Sequence, residues 1–426
     1  MMRILVITRS SWSNNNNIGN TMSNIFSSFV DDDIYGLSFR EETPCNDIAI
    51  KNFSISEQQI IRFFKTGKKM GKVVDSSSFT ACDTAEKNIY DYAKRNGGKT
   101  LWFIRELMWC VAPWKNDKLK SYLDEVNPDI VFMPVFGCWY PHKVLAYIKK
   151  YTGAKVILFH ADDNYTLRQF SFSPIYWLYR FNLRRWVKKS VNGSDLNYAI
   201  SEIQKREYEK ALKKPIKILF KSADFSVMPQ YAKSVKPYKF VFTGNISSGR
   251  YKMLSLIGKC LQKINENGTK AELDIYTLTP LNEKMQKALD IPGAIVLKGG
   301  IGADEVQKVQ EEADVLVHVE SFDLKNRLQV HQSFSTKIVD YLKTAKCILA
   351  VGPKDVASMD YLRNNDAAVT AVCESEIESA LNKILEDENT VIEYGKKAWE
   401  CGVKNHQHDK LQKDLYDDFK RIIKQK

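Results

Sequence analysis

No stretch of this chain approaches the roughly 20 consecutive apolar residues that a membrane helix needs, and the apolar start, Met1 to Thr8, is too short for a signal peptide and reads as a strand. The expectation is a cytoplasmic protein. Its eight cysteines lie far apart without any C-x-x-C pair, and several sit in apolar runs where a thiol behaves as a small hydrophobe. Neither disulfides nor a zinc site is indicated. No G-x-G-x-x-G follows the first strand-like run, which argues against a nicotinamide or flavin enzyme. No acidic pair stands at a strand end to hold magnesium or manganese, and Asp31 to Asp33, which precedes a strand, reads as a turn, so no metal is expected. There are no repeats, and Asn14 to Asn17 is the only low-complexity tract.

What is present suits a large two-domain protein. The 426 residues are 44% hydrophobic, enough for a sizeable core, and the length suggests two domains of roughly 200 residues. Charge is uneven: residues 1–230 carry 34 Lys and Arg against 23 Asp and Glu, a net +11, and the remainder nets only +1. Such asymmetry points to nucleic acid, an anionic membrane surface or an anionic substrate. Strand-like runs alternate with longer amphipathic segments: Ile4 to Ile7, Ile34 to Phe39, Ile130 to Met133, Lys155 to Phe159, Leu196 to Ile200 and Ile216 to Phe220. After a pause at 226–237 the pattern resumes with Phe240 to Phe242, Leu273 to Tyr276, Ile295 to Leu297, Val315 to Val319, Cys347 to Val351 and Ala368 to Val372. This predicts an α/β protein of two doubly wound, Rossmann-like domains, 1–230 and 237–390, followed by a polar helical stretch, 391–426. His406 and His408 lie in that polar stretch and are expected to be solvated.

The most informative segment runs from Gln332 to Gly352. It reads as a polar loop, a short helix and a buried strand, with Ile338, Val339, Tyr341, Leu342 and Ala345 on one helical face and Ser333 or Ser335 as the N-cap. Ser335, Thr336 and Lys337 lie at the positive helix start, where a phosphate would meet backbone donors, hydroxyls and an ammonium. Asp340, one turn on, is placed to grip a ribose diol. Each domain also opens with a strand and a Gly-bearing loop: Gly19 before a helix starting near Thr21, and Thr243, Gly244 and Asn245 leading to Arg250. Ligands of open α/β sheets bind at the carboxyl ends of strands, so Arg250 and Lys337 form a candidate diphosphate clamp.

On these residues the chain resembles a retaining glycosyltransferase of the GT-B fold, family 4-like, of the bacterial polysaccharide-assembly type. The likeness is weak over 1–160 and firmer over 194–353. Gly244 followed six residues later by Arg250 fits the family's donor-diphosphate loop, although Asn245 stands where the family usually has Arg. The family places two acids eight residues apart; Asp340 takes the second place and Gln332 the first. His160, after Phe159, matches a family histidine on the acceptor side. The resemblance implies two Rossmann-like domains facing each other across a cleft, with the nucleotide sugar on the C-terminal domain. It implies a C-terminal crossover helix packing back on the N-terminal domain, and metal-free transfer of a sugar to a glycan or lipid-linked acceptor. Ser333, Ser335, Thr336, Thr243, Gly244, Asn245, Gly19 and Asp340 would serve donor binding, and Arg250, Lys337 and His160 the chemistry.

Rival readings are a catalytically silent nucleotide-sugar-binding subunit, which Gln332 keeps open, a sugar-nucleotide epimerase, and a nucleic-acid-binding protein. The last has only the N-terminal charge behind it, without an RNA-recognition, zinc or helix-turn-helix signature. Asn96 to Thr100 looks like the end of a phosphate loop, but no strand precedes it. Phe170 to Lys189 combines seven aromatics with five cations, and Leu101 to Trp114 holds three tryptophans. Both suit a lipid headgroup interface, so peripheral contact with anionic membrane is expected.

Overall fold

A computed structural model describes residues 1–14, 17–74, 99–230 and 236–425. The Asn14 to Asn17 tract, the sequence around Asn96 and the pause at 226–237 fall partly outside the described residues. The chain divides into two units, Met1–Leu219 with Gln412–Lys426, and Phe220–Leu411.

The first unit is built on strands β1 (Arg3–Thr8), β2 (Asp33–Ser38), β3 (Lys51–Ser54), β4 (Lys72–Val74), β5 (Ile130–Pro134), β6 (Lys155–His160), β7 (Leu196–Ala199) and β8 (Lys217–Ile218). They lie in the order β4-β3-β2-β1-β5-β6-β7-β8, parallel except for the β3/β4 pair. Ile4, Leu5, Val6 and Ile7 of β1 are fully buried, as expected of a strand covered on both faces. The second unit holds β9 (Tyr238–Thr243), β10 (Ala271–Tyr276), β11 (Ile295–Gly299), β12 (Val315–Val319), β13 (Cys347–Val351) and β14 (Val369–Ala371), all parallel, in the order β11-β10-β9-β12-β13-β14. In both sheets the chain winds outward one way, returns to the middle, and winds out the other way. The places of reversal are β1/β5 and β9/β12.

Every strand expected from sequence is present. β3 and β4 were not expected, because Lys51 to Ser54 has one apolar residue in four and Lys72 to Val74, at the sheet edge, is only three residues long. The helical stretch expected as one block over 391–426 is divided. Glu388–His406 buries Val391 and Tyr394 in the second unit's core. His408–Lys424 instead belongs mainly to the first unit: Phe419 packs on Phe26, Phe29 and Phe132, and the Asp418 carboxylate accepts from Tyr198 and Lys217. The expectation of a solvated histidine fails at His406. His406 is fully buried, hydrogen-bonded to the Lys221 carbonyl and the Tyr361 hydroxyl.

Candidate functional site

The β9/β12 reversal is where an open α/β sheet leaves a crevice beyond its strand ends, and the candidate residues of the second unit gather there. β9 ends at Thr243, whose hydroxyl is buried and accepts from Gln310 at 3.0 Å. Its carbonyl accepts from the Lys337 ammonium at 2.7 Å. Gly244 follows with φ 129°, and a Cβ there would stand 2.2 Å from Lys337 Nζ. Only glycine allows both that backbone and the ammonium lying across it. One of the three ammonium protons is used on the carbonyl, leaving two for a ligand.

Arg250 begins the helix Arg250–Ile264 and points its guanidinium at Glu320, just beyond β12, with Nε and Nη2 at 3.2 and 3.0 Å from the two carboxylate oxygens. Lys337, at the start of the helix Lys337–Lys343, feels the same charges. Burial first, and then the Arg250 charge, lower its pKa from 10.5 to about 8, while Glu320 and Asp340 pull the other way. His318 on β12 is buried with its Nε2 3.8 Å from Glu320 Oε1 and without a hydrogen bond among the described residues. Burial, then Lys337 and Arg250, push its pKa down to about 3, so it stays neutral. Two cations and one carboxylate thus meet at the strand ends, with net charge of one sign.

The remaining expected donor residues are less open than the sequence suggests. The helix at Lys337 is capped by neither Ser333 nor Ser335: its N-cap is Thr336, in α conformation and without a side-chain cap bond. The Ser335 amide donates to Ser358 Oγ at 3.0 Å, so it is not free for phosphate; the amides of Thr336 and Lys337 make no hydrogen bond among the described residues. The Ser333 amide closes a turn on Val330. Asn245, exposed, accepts the Ser247 amide at 2.6 Å and so shapes the loop rather than replacing a cation. Gln332 is buried. Asp340 is ion-paired, its Oδ1 2.6 Å from Lys221 Nζ.

The other two expected residues lie in the first unit. His160 ends β6, fully buried, edge-on to Tyr208 at 5.0 Å. Burial lowers its pKa to about 3, with Asn197 opposing and His142 assisting, so the imidazole is neutral. Gly19 sits inside the helix Asn17–Ile25 rather than before it, because that helix starts earlier than expected; a Cβ would fall 2.0 Å from the Ser13 carbonyl. Asp163 is a turn residue, accepting the amides of Tyr165 and Thr166 and pairing with Arg180.

Glu320 and His318 are the residues that sequence reasoning missed. The available signal was a carboxylate directly after an apolar strand, at the edge where such sheets bind ligands. Among the described residues no group of acidic, histidine and cysteine side chains could hold a metal ion, and no helix is long and apolar enough to cross a membrane.

No family model matches the sequence, and no curated relative matches it either. Solved structures do match, over almost the whole chain. One is Alr3699/HepE of Anabaena, in complex with UDP and glucose, at 11% identity and a TM-score of 0.63, covering 99% of this chain and 100% of that one. Another is sucrose-phosphate synthase from Thermosynechococcus elongatus, at 9% identity and a TM-score of 0.64, covering 99% of each. A third is WaaG, a glycosyltransferase involved in lipopolysaccharide biosynthesis, at 11% identity and 0.60, covering 99% of this chain and 100% of that one. Identities this low speak to architecture alone. With two parallel-sheet, Rossmann-like units matched end to end against these proteins, the chain has the GT-B fold.

Proposed function

We propose that this protein is a glycosyltransferase that takes a sugar from a nucleoside-diphosphate sugar, with the second unit holding the nucleotide. One observation carries the reading: at the reversal point of the second sheet, an ammonium and a guanidinium converge beside a glycine whose missing Cβ leaves the ammonium room. Cations fixed in advance where negative charge develops on a leaving diphosphate are where such a catalyst gains most. Lys337 and Arg250 would hold the diphosphate, the amides of Thr336 and Lys337 would add donors, and Asp340 would take the ribose. Among the solved structures of similar fold, HepE is also recorded in complex with UDP-glucose.

The finer parts of the reading are retention of configuration, a hexosyl donor and a role in surface polysaccharide synthesis. We include a glycan or lipid-linked acceptor and His160 orienting the sugar or acceptor. The support for a lipid-linked acceptor is a surface of the first unit. Phe172 is 93% exposed and Phe170 62%, and along the helix Pro174–Asn192 the exposed stripe runs from Ile175, Leu178 and Phe181 to Arg185 and Lys188. Apolar tips followed by cations suit an anionic membrane. The three tryptophans of 101–114 contribute less than expected, since Trp109 and Trp114 are core residues and only Trp102 is exposed.

Turnover with a panel of radiolabelled nucleotide sugars, with and without chelator, tests the function. Transfer that persists in chelator is the expected result. Binding without turnover for every donor and acceptor would favour the silent subunit, which the Arg250–Glu320 pair and Gln332 make the second reading. No binding at all would refute both.

A further inference from the structure

We propose that Lys221 is a positioning residue for Asp340, holding its carboxylate in the orientation that accepts the ribose hydroxyls; the inference rests on the donor-site reading above. Lys221 Nζ lies 2.6 Å from Asp340 Oδ1, and the lysine side chain is only 18% exposed. An ordinary ion pair of two mobile side chains contributes little. This lysine differs in how its backbone is held.

The Lys221 carbonyl lies 2.9 Å from His406 Nδ1, and His406 Nε2 lies 2.8 Å from the Tyr361 hydroxyl. A carbonyl can only accept, so Nδ1 carries the proton and Tyr361 donates to Nε2: one tautomer satisfies the whole chain. Burial lowers the His406 pKa to about 4, the hydrogen bond to the Lys221 carbonyl opposing and the Lys221 charge assisting, so the imidazole stays neutral at physiological pH and the tie persists. The neighbouring residues are lashed to the same segment. Ser222 Oγ meets His408 Nδ1 at 3.1 Å, the Ala223 amide donates to the His406 carbonyl at 2.9 Å, and the His408 amide donates to the Ala223 carbonyl at 3.0 Å. On the other side, the Phe220 ring packs 5.5 Å from Phe334, which lies in the loop leading into the helix that carries Asp340.

The lysine therefore reaches Asp340 from a backbone fixed both to the 406–408 segment and to the site loop. It does not wander as a surface lysine does. With Oδ1 engaged, the carboxylate loses rotational freedom, yet Oδ2 and the second lone pair of Oδ1 remain for two hydroxyls. A diol then meets an acceptor already aimed, rather than one that must be ordered on binding.

Calorimetry with UDP, GDP and ADP and with their 2′-deoxy forms, on wild type, Lys221→Met and Lys221→Arg, tests this. Wild type should prefer the ribonucleotide about tenfold, the scale of one charge-assisted hydrogen bond. In Lys221→Met that preference should fall below about threefold while affinity for inorganic pyrophosphate holds, and Lys221→Arg should restore it. A merely structural lysine would lower ribo and deoxy affinities together and leave their ratio alone. A ratio that holds or rises in Lys221→Met overturns the proposal, the lysine then being inert or a competitor for the carboxylate. Wild type that binds none of the three ribonucleotides refutes the donor-site reading itself, a result distinct from either.

Discussion

Binding of a nucleoside diphosphate should weaken as pH rises through about 8, and Lys337 should be the cause. Burial and the Arg250 charge bring its pKa in the free protein from 10.5 down to about 8. A bound diphosphate supplies the opposite charge that the crevice lacks and returns the ammonium toward its ordinary value. The free protein therefore releases this proton at about pH 8 while the complex keeps it, so binding takes up a proton in that window and alkali opposes binding. Full restoration would correspond to on the order of 3 kcal/mol, and affinity should drop by up to about tenfold per pH unit above 8. Without ligand the sign for stability is the reverse. Between about pH 8 and 10.5 the unfolded chain binds more protons than the folded one, so this group's contribution to stability rises with pH. Calorimetry from pH 7 to 9.5, where the phosphates are already ionised, measures the slope, and buffers of different ionisation enthalpy count the proton. Lys337→Met should bind roughly ten- to a hundredfold more weakly at pH 7 and show no slope. A wild-type affinity that is flat over this range would sink the argument.

Four further outcomes are expected. Gly244→Ala drives a Cβ to 2.2 Å from Lys337 Nζ at φ 129°, so it should cost about 1–3 kcal/mol in chemical denaturation and should displace the ammonium, weakening nucleotide binding as well. Glu320→Gln removes the carboxylate that occupies Arg250; the protein should lose about 1–3 kcal/mol of stability yet bind nucleoside diphosphate several-fold more tightly, and unchanged or weaker binding would remove Arg250 from the clamp. His160→Ala should lower turnover more than nucleotide affinity, since His160 belongs to the first unit; equal losses in both would contradict its assignment to sugar or acceptor. Phe172→Glu should reduce sedimentation with acidic liposomes, and equal recovery of wild type in the supernatant with acidic and neutral lipid would end the membrane proposal.

The sequence exposed the parts of this molecule that depend on neighbours in the chain. Period and apolar runs located twelve strands, because a strand covered on both faces must be apolar along its length; Lys51 to Ser54 escaped because it is four residues long with Phe53 its one apolar residue. The Gly244 loop, Arg250 and the helix start at Lys337 were legible for a similar reason, each being a local pattern of a few residues. What was not legible is who holds these groups. Arg250 meets Glu320 across 70 residues, Asp340 meets Lys221 across 119, and His406 meets the Lys221 carbonyl across 185. No local spacing encodes such partners, and a histidine in a polar stretch looks solvated until the chain that covers it is in place. Capping failed on a subtler point: Ser335 follows the local rule, but the helix begins one residue later, behind Thr336, with no side-chain cap bond.

These distant partners change what the clamp is. Two bare cations facing one another in a partly buried crevice would repel and would pay for desolvation as well, so a fold that places them together must relieve the charge. Here relief comes in two forms. Glu320 takes up the guanidinium of Arg250 with both oxygens, and Lys337 has its pKa lowered while leaning on the Thr243 carbonyl. His318, close to both cations, adds no third charge because it stays neutral. The empty crevice therefore carries less unpaired charge than two bare cations would, and a diphosphate bound there would hold the Lys337 proton to higher pH and compete with Glu320 for Arg250. Part of the electrostatic attraction would thus be released only when the anion is present. A group that becomes more anionic as its bond to the sugar breaks would draw on that reserve most, and this is the charge change that separates transfer from mere nucleotide binding.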